Sequence, residues 1–397
     1  MNLNRYNGVF LSLLFFHTAV LLYLTNEFSI SFKEAYIYFN SELSLLSLIT
    51  NLSTTLFGQN DFALRGPFIL FYIGSSLLLY YLTKDFFKTE LQRVISVAIF
   101  MILPGVNSAA LLVNESIIVV FFTLLYLVIY KTKKRHCYVL LLLFLFIDNS
   151  FAILFLGLFF YSLAKKNNKL LVISLILFGI SMSYFGFDIG GKPKSFLLDT
   201  FGIYASIFSP VLFLYFFYAI YRIGIKQEKE IMWYISATAL GLSLIFSLRQ
   251  NIKIEDFAPF VVIAIPLMVK LFSHSLNVRL KEFRKIHYNM MRLALGVLIV
   301  SFLGLVFNKY IYIFLENSSK HFTYKYHIVK ELSEELKSRN INKVYTNDSK
   351  LALRLRFYGI NSSEKYIISR RLFNNRYELI DIKYFNRIVE RYYLYKR

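Results

Sequence analysis

A single cysteine, Cys137, in 397 residues leaves no disulfide and no cysteine-cluster metal site to build. Charge is scarce as well, at 17% against the about 25% usual in a soluble domain. That little charge excludes a solvated disordered polymer, and 6 prolines with 16 glycines exclude a collagen-like chain. The six histidines are scattered without metal-ligand spacing. No clear cleavage site follows the first apolar stretch, so Val9–Leu24 reads as a retained helix. What is abundant is apolar surface: 57% hydrophobic and 18% aromatic residues, with a mean hydropathy of +0.52. Apolar runs of membrane length recur through the first three quarters of the chain. They exclude a single soluble globule and predict an all-α polytopic membrane protein.

The net charge of +21 is then a question of topology before it is one of nucleic acid. Basic clusters divide the apolar sequence at Lys84/Lys88/Arg93, Lys131/Lys133/Lys134/Arg135, Lys165/Lys166/Lys169, Arg222/Lys226/Lys229 and Arg279/Lys281/Arg284/Lys285/Arg292. Cytoplasmic loops collect Lys and Arg, so all five are expected inside, together with Arg5. Between Arg93 and Lys131 the chain then goes out and returns, breaking at Pro104-Gly105-Val106-Asn107, with the return helix from about Ile117. Between Arg135 and Lys165 two short helices meet at Asp148-Asn149-Ser150, each too short to cross ~30 Å alone. The other expected spans are Ala63–Leu82, Leu170–Phe187, Phe201–Tyr221, Ile231–Leu248, Phe257–Phe272 and Leu293–Phe314. The total is about eleven transmembrane helices, N-terminus in and C-terminus out. Residues 1–314 form the transmembrane domain, with a large first exoplasmic loop at 26–66, and residues 315–397 a small exoplasmic domain.

On this topology ten acids fall outside (Glu27, Glu34, Glu42, Asp61, Glu115, Asp148, Asp188, Asp199, Glu255, Asp256) and five inside. The partition fits outer loops that merely tolerate acids, or an acidic outer site. The first loop is too polar to span but carries apolar residues at spacings of three and four, from Ala35 to Phe57. That pattern suits amphipathic helices on a membrane surface, followed by a turn at Gly58-Gln59-Asn60-Asp61.

The order of a first helix, "KEAYIYF" (Lys33–Phe39), an amphipathic stretch, "LFGQNDFALRGP" (Leu56–Pro67) and a span resembles family 39 of the GT-C glycosyltransferases. That family includes the protein O-mannosyltransferases and the lipid A aminoarabinose transferases. The resemblance continues at Leu103–Lys131, with its Pro-led turn and second acidic residue, and at "KVYTNDSKLALRLRFYG" (Lys343–Gly359). It departs at Lys33-Glu34, where the family usually has Asp-Glu, and at Asn114-Glu115, where it has an Asp. The resemblance implies a GT-C-like fold in a bacterial inner membrane. The implied activity moves a sugar from a polyprenyl-phosphate-linked donor to a lipid, glycan or protein acceptor on the periplasmic face.

Such a transfer needs a base for the acceptor hydroxyl and positive groups for the departing phosphate. Glu34 is the candidate base, or a ligand if a divalent ion such as Mg or Mn takes part, with Glu115 as the second carboxylate. Each has a plainer alternative, Glu34 as a solvated loop acid and Glu115 as a helix N-terminal acid. Arg65, Arg249 and Lys253 at outer helix ends, and Lys192 and Lys194 in another outer loop, are candidates for the phosphate. A lone Arg at a helix end is more often a headgroup snorkeller. Asp148 either joins the site or only breaks a helix hairpin.

The tail carries 18 Lys/Arg against 9 Asp/Glu and reads as a small α/β module. Tyr324–Arg339 has helical periodicity, and strand-like Lys343–Thr346 and Tyr366–Ser369 flank a helix from Asp348 to Tyr358 that stops at Gly359. Its basicity suits anionic headgroups or glycans, or is a solvated face; nucleic acid is not expected as a partner. Two other readings compete with the enzyme: a transporter or flippase of a lipid-linked intermediate, and a catalytically silent scaffold of GT-C descent. Transporters more often show inverted repeats and midplane polar residues, which the sequence does not display.

Overall fold

The computed structural model describes residues 2–40, 44–184, 195–363, 365–373 and 376–396; Glu42, Asp188, Lys192 and Lys194 lie outside them. The chain is mostly helical. Among the described residues five helices are long and apolar enough to cross a membrane: Arg5–Glu27, Asp61–Leu82, Ser116–Lys133, Ile254–Val278 and Lys281–Val306. Two sharply bent helix pairs raise the number to seven. Three further expected spans are the apolar helices Phe151–Lys165, Asn168–Tyr184 and Ile231–Ser247, of 15 to 17 residues. Each is shorter than the ~20 residues a perpendicular crossing needs.

Proline shapes two of the expected spans. The break expected at Pro104-Gly105-Val106-Asn107 is present: Pro104 opens a second helix, Pro104–Leu111, bent by 58° from Glu90–Ile102. The expected single span Phe201–Tyr221 is two helices, Leu197–Phe208 and Pro210–Lys226, crossing at 105°. Pro210 supplies no N–H and drives the preceding Ser209 out of the helical region, to φ +76°. The last helix starts twelve residues before the expected Leu293, at Lys281, and ends at Val306, with a 3-10 segment Asn308–Ile313 after it. Its basic first turns are helix formers that need no apolar surroundings.

The chain divides into two compact units, which cut across the sidedness division at 314/315 because they follow packing instead. The first comprises residues 1–18, 70–110 and 114–302. At its centre Phe151–Lys165 packs on Asn168–Tyr184 and on Ile231–Ser247, which in turn packs on Ile254–Val261. A Cβ at Gly157 would lie 3.0 Å from the Ile235 Cα, so the glycine sets how closely two of these helices approach. Tyr204 donates to Ser243 Oγ (2.7 Å) and Ser236 to the Phe260 carbonyl (2.7 Å), which satisfies polar groups inside an apolar interior.

The second unit comprises residues 19–69, 111–113 and 303–397. Here the first loop forms two helices, Phe32–Phe39 and Leu45–Phe57, and Gly58 makes the turn at φ +83°. Helix Ser349–Phe357 packs against Phe32–Phe39. It is capped by Asp348, whose carboxylate accepts from the Lys350 and Leu351 N–H groups, and is followed by Gly359 at φ +81°. The expected helix over 324–339 shortens to Val329–Ser338, after a 3-10 turn at Tyr324–Tyr326. Residues 343–346 contribute only isolated bridges to Asn361 and Ile367. Strand β1 (Tyr366–Ser369) is where periodicity put it, but β2 (Glu378–Tyr384) and β3 (Arg387–Lys396) were not expected. The sheet is antiparallel in the order β1-β3-β2, with Ile380 opposite Tyr392 and Ile368 opposite Leu394. Phe385 and Asn386, both at positive φ, close the β2–β3 hairpin. Leu332, Leu336, Leu351, Leu355 and Ile368 fill the core beneath.

Candidate functional site

In the second unit the first loop is organised by a capping box. Ser31 Oγ accepts from the Glu34 N–H (3.3 Å), and Glu34 Oε2 accepts from the Ser31 N–H (2.8 Å). The pattern Ser31-x-x-Glu34 was visible in the sequence as a helix start, and it fixes the Glu34 side chain against its own helix. Helix Asp61–Leu82 then delivers Arg65. Its Nε meets Glu34 Oε1 at 3.1 Å and its Nη2 meets Oε2 at 2.9 Å, with both side chains almost fully buried. The Val113 N–H is the fourth donor to this carboxylate, at 3.3 Å.

Arg65 spends its remaining donors on the loop backbone, at the carbonyls of Phe28 (2.7 Å), Ser29 (3.0 Å) and Thr25 (3.4 Å). Burial raises the Glu34 pKa, but Arg65 and the Ser31 hydrogen bonds outweigh it and hold the carboxyl below its ordinary range. Glu34 is therefore no solvated loop acid. It is one half of an internal anchor, a bidentate pair that pins residues 25–34 to helix Asp61–Leu82. Neither partner has a lone pair or N–H left over for a phosphate or an acceptor hydroxyl in this geometry.

Arg354 adds a second tie, donating to the Ile30 carbonyl (2.7 Å), Ser29 Oγ (3.2 Å) and the Lys325 carbonyl (2.9 Å). Next to the anchor, Asp61 is buried (5% exposed), accepts from Tyr358 Oη at 2.9 Å and meets Lys330 Nζ at 3.3 Å. Tyr358 Oη in turn accepts from the Ile30 N–H (2.8 Å). Burial, followed by the charge of Asp61, raises the Tyr358 phenol well above its usual range, so it remains a donor. Asp61 had been counted only as one of the outer acids. Its partners lie some 270 to 300 positions away, and no local pattern announces them.

In the first unit Glu115 is the half-buried N-cap residue of Ser116–Lys133. Ser116 Oγ donates to the Glu255 carbonyl (3.1 Å), which joins that helix start to the start of Ile254–Val261. The charges of Asp148, Lys253, Glu255 and Glu115 all act on Asp256, so three of the expected site residues gather around one that was not selected. Asp148 caps its own turn, accepting from the Ser150 N–H at 2.8 Å. Burial pushes its carboxyl above the ordinary range against the pull of Ser150 and Lys253. Lys253 is exposed at the N-cap of Ile254–Val261, and Arg249 is exposed in the turn after Ile231–Ser247. Among the described residues no group of three His, Cys, Asp or Glu side chains is placed to hold a metal ion. The divalent-ion expectation therefore finds no three-residue ligand set among the described residues.

Residues 44–147 match the family model described as dolichyl-phosphate-mannose-protein mannosyltransferase. That segment contains Arg65 and Glu115 but begins after Glu34 and ends just before Asp148. No curated protein matches the chain. Among solved structures, the crystal structure of ArnT from Cupriavidus metallidurans bound to undecaprenyl phosphate is similar at a TM-score of 0.51 and 8% identity. The likeness covers 90% of this chain and 75% of that one. The chain is thus a multi-pass membrane protein that shares the fold of that structure and carries a small C-terminal α/β module, and over residues 44–147 the family match bears out its resemblance to family 39 of the GT-C glycosyltransferases.

Proposed function

We propose that this chain is an integral-membrane glycosyltransferase that moves a sugar from a polyprenyl-phosphate-linked donor to an acceptor at the periplasmic face of a bacterial inner membrane. The observation that carries this reading is the fold shared, over 90% of the chain, with a protein crystallised with undecaprenyl phosphate. In this reading the N-terminus is cytoplasmic and the C-terminus periplasmic, which the positions of the basic clusters support. The Glu34–Arg65 pair holds the first loop rigid, so its work is positioning. The proton of the acceptor hydroxyl goes to a carboxylate of the Glu115, Asp148 and Asp256 group. Asp148 is one candidate, since burial raises its proton affinity. Lys253 and Arg249 supply positive charge for the departing phosphate, and no step runs through a metal ion.

The test is transfer from undecaprenyl-phosphate-linked radiolabelled sugar by the purified protein, paired with mass spectrometry of surface glycans and lipids in a deletion strain. Asp148→Asn and Glu115→Gln should each lower turnover at least a hundredfold while the protein stays in the membrane. Full activity in both would remove the group from the mechanism. Arg249→Ala should raise the KM for donor more than it lowers kcat. A second reading, a silent scaffold of GT-C descent, is favoured by one observation: the acid retained from the expected pair, Glu34, is saturated by its partners. An unchanged glycan and lipid profile together with no transfer in vitro would establish it.

A further inference from the structure

A cavity of about 700 Å³ lies within the second unit, between the turn after Leu45–Phe57, the start of helix Asp61–Leu82 and the C-terminal end of Ser349–Phe357. Its volume falls in the range of small-ligand sites. Three kinds of group line it. Phe62, 46% exposed, and Tyr358 present aromatic rings. Gln59 and Asn361 offer side-chain amides, and Gln59 is held by its hydrogen bond to the Phe357 carbonyl (2.6 Å). Lys330, Lys337 and Arg356 bring three positive charges against the single carboxylate of Asp61, which already pairs with Lys330 and accepts from Tyr358 Oη. The Arg356 guanidinium sits over the Phe39 ring at 4.5 Å, a contact that orders it at the cavity wall.

Each component matches one part of an anionic sugar. Ring faces cover pyranose C–H surfaces, and amides and the buried carboxylate pair hydroxyl groups that would otherwise be left unpaired. The surplus of cations, with an arginine among them, selects phosphate or carboxylate. A purely apolar ligand would leave the surplus cations without a counter-charge, and a cationic one would meet net repulsion. We propose that this cavity binds a phosphate- or carboxylate-bearing saccharide and is where an anionic glycan acceptor docks. The acceptor role rests on the glycosyltransferase reading above; the saccharide site does not.

The experiment uses the full chain in lipid nanodiscs with α-glucose 1-phosphate, glucose and inorganic phosphate as probes. Glucose 1-phosphate is expected to bind at least tenfold more tightly than either of its parts, and Lys337→Ala/Arg356→Ala, at two exposed positions, to weaken it about tenfold. Phe62→Ala should weaken glucose and glucose 1-phosphate alike and leave inorganic phosphate unchanged. Equal affinities in wild type and the double variant would overturn the site. Displacement of the probe by undecaprenyl phosphate would assign the cavity to the donor and overturn the acceptor role. Transfer without probe binding would remove this inference alone. Probe binding with transfer to other acceptors but to no anionic glycan would leave the saccharide site standing and remove its acceptor role, whereas probe binding with no transfer to any acceptor would remove the glycosyltransferase reading as well.

Discussion

Glu34→Gln separates an anchoring carboxylate from a catalytic one. The substitution keeps the size of the side chain and one carbonyl oxygen, but its amide nitrogen points a donor at the Arg65 guanidinium, where an acceptor stood 2.9 Å away. Arg65 is fully buried, so its charge is left with three backbone carbonyls and only the more distant Asp61 carboxylate as counter-charge. Breaking a buried pair from one side costs about 3–5 kcal/mol, roughly a hundred- to a few-thousand-fold in the folded-to-unfolded ratio. The reciprocal change Arg65→Met should cost at least as much, because it strands the Glu34 carboxylate and the same carbonyls. The double variant should cost clearly less than the two singles together, since neither charge remains to be stranded. The assay is thermal unfolding in detergent, read by the fraction remaining monodisperse, with transfer activity measured on whatever stays folded. A Glu34→Gln protein within 1 kcal/mol of wild type and inactive would refute the anchor and restore Glu34 as the base.

Three further expectations follow from the packing. Burial, then the charges of Lys309, His321 and Arg354, pushes His327 down to about 3, so it is neutral in the folded state and must charge on unfolding in acid. Its contribution is complete above the ordinary value near 6.5 and is lost as pH falls from there, about 2 kcal/mol by pH 5. The depressed Glu34 acts in the same sense at lower pH, and a flat melting profile between pH 7 and 5 would contradict the assignment for His327. Gly157→Val should destabilise the first unit by about 1–3 kcal/mol, because its side chain meets the Ile235 backbone, whereas Gly241→Ala, with open space at its Cβ, should be near neutral. A periplasm-active reporter fused after Arg397 should give signal and one after Lys134 should not; the reverse pattern would invert the topology.

The helices and their membrane character were legible because burial in lipid or protein demands long apolar runs, and such runs are local. So were the Asp348 cap, the stop at Gly359 and the short-helix pair around Asp148-Asn149-Ser150, each written in neighbouring residues. The 105° crossing at Ser209 was signalled by Pro210 but overridden by the apolar run on both sides of it. Strands β2 and β3 carry alternating charged and apolar residues, weak beside the helical pattern preceding them. Charge sorting placed Glu34, Glu115 and Asp148 among ten outer acids and Arg65 at an outer helix end, and the family resemblance singled out Glu34 and Glu115. What each one does depends on partners far away in the chain. Glu34 and Arg65 satisfy one another across 31 positions, and Asp61 meets Tyr358 across 297. A carboxylate's availability is decided by how many donors reach it, and only the folded backbone counts those.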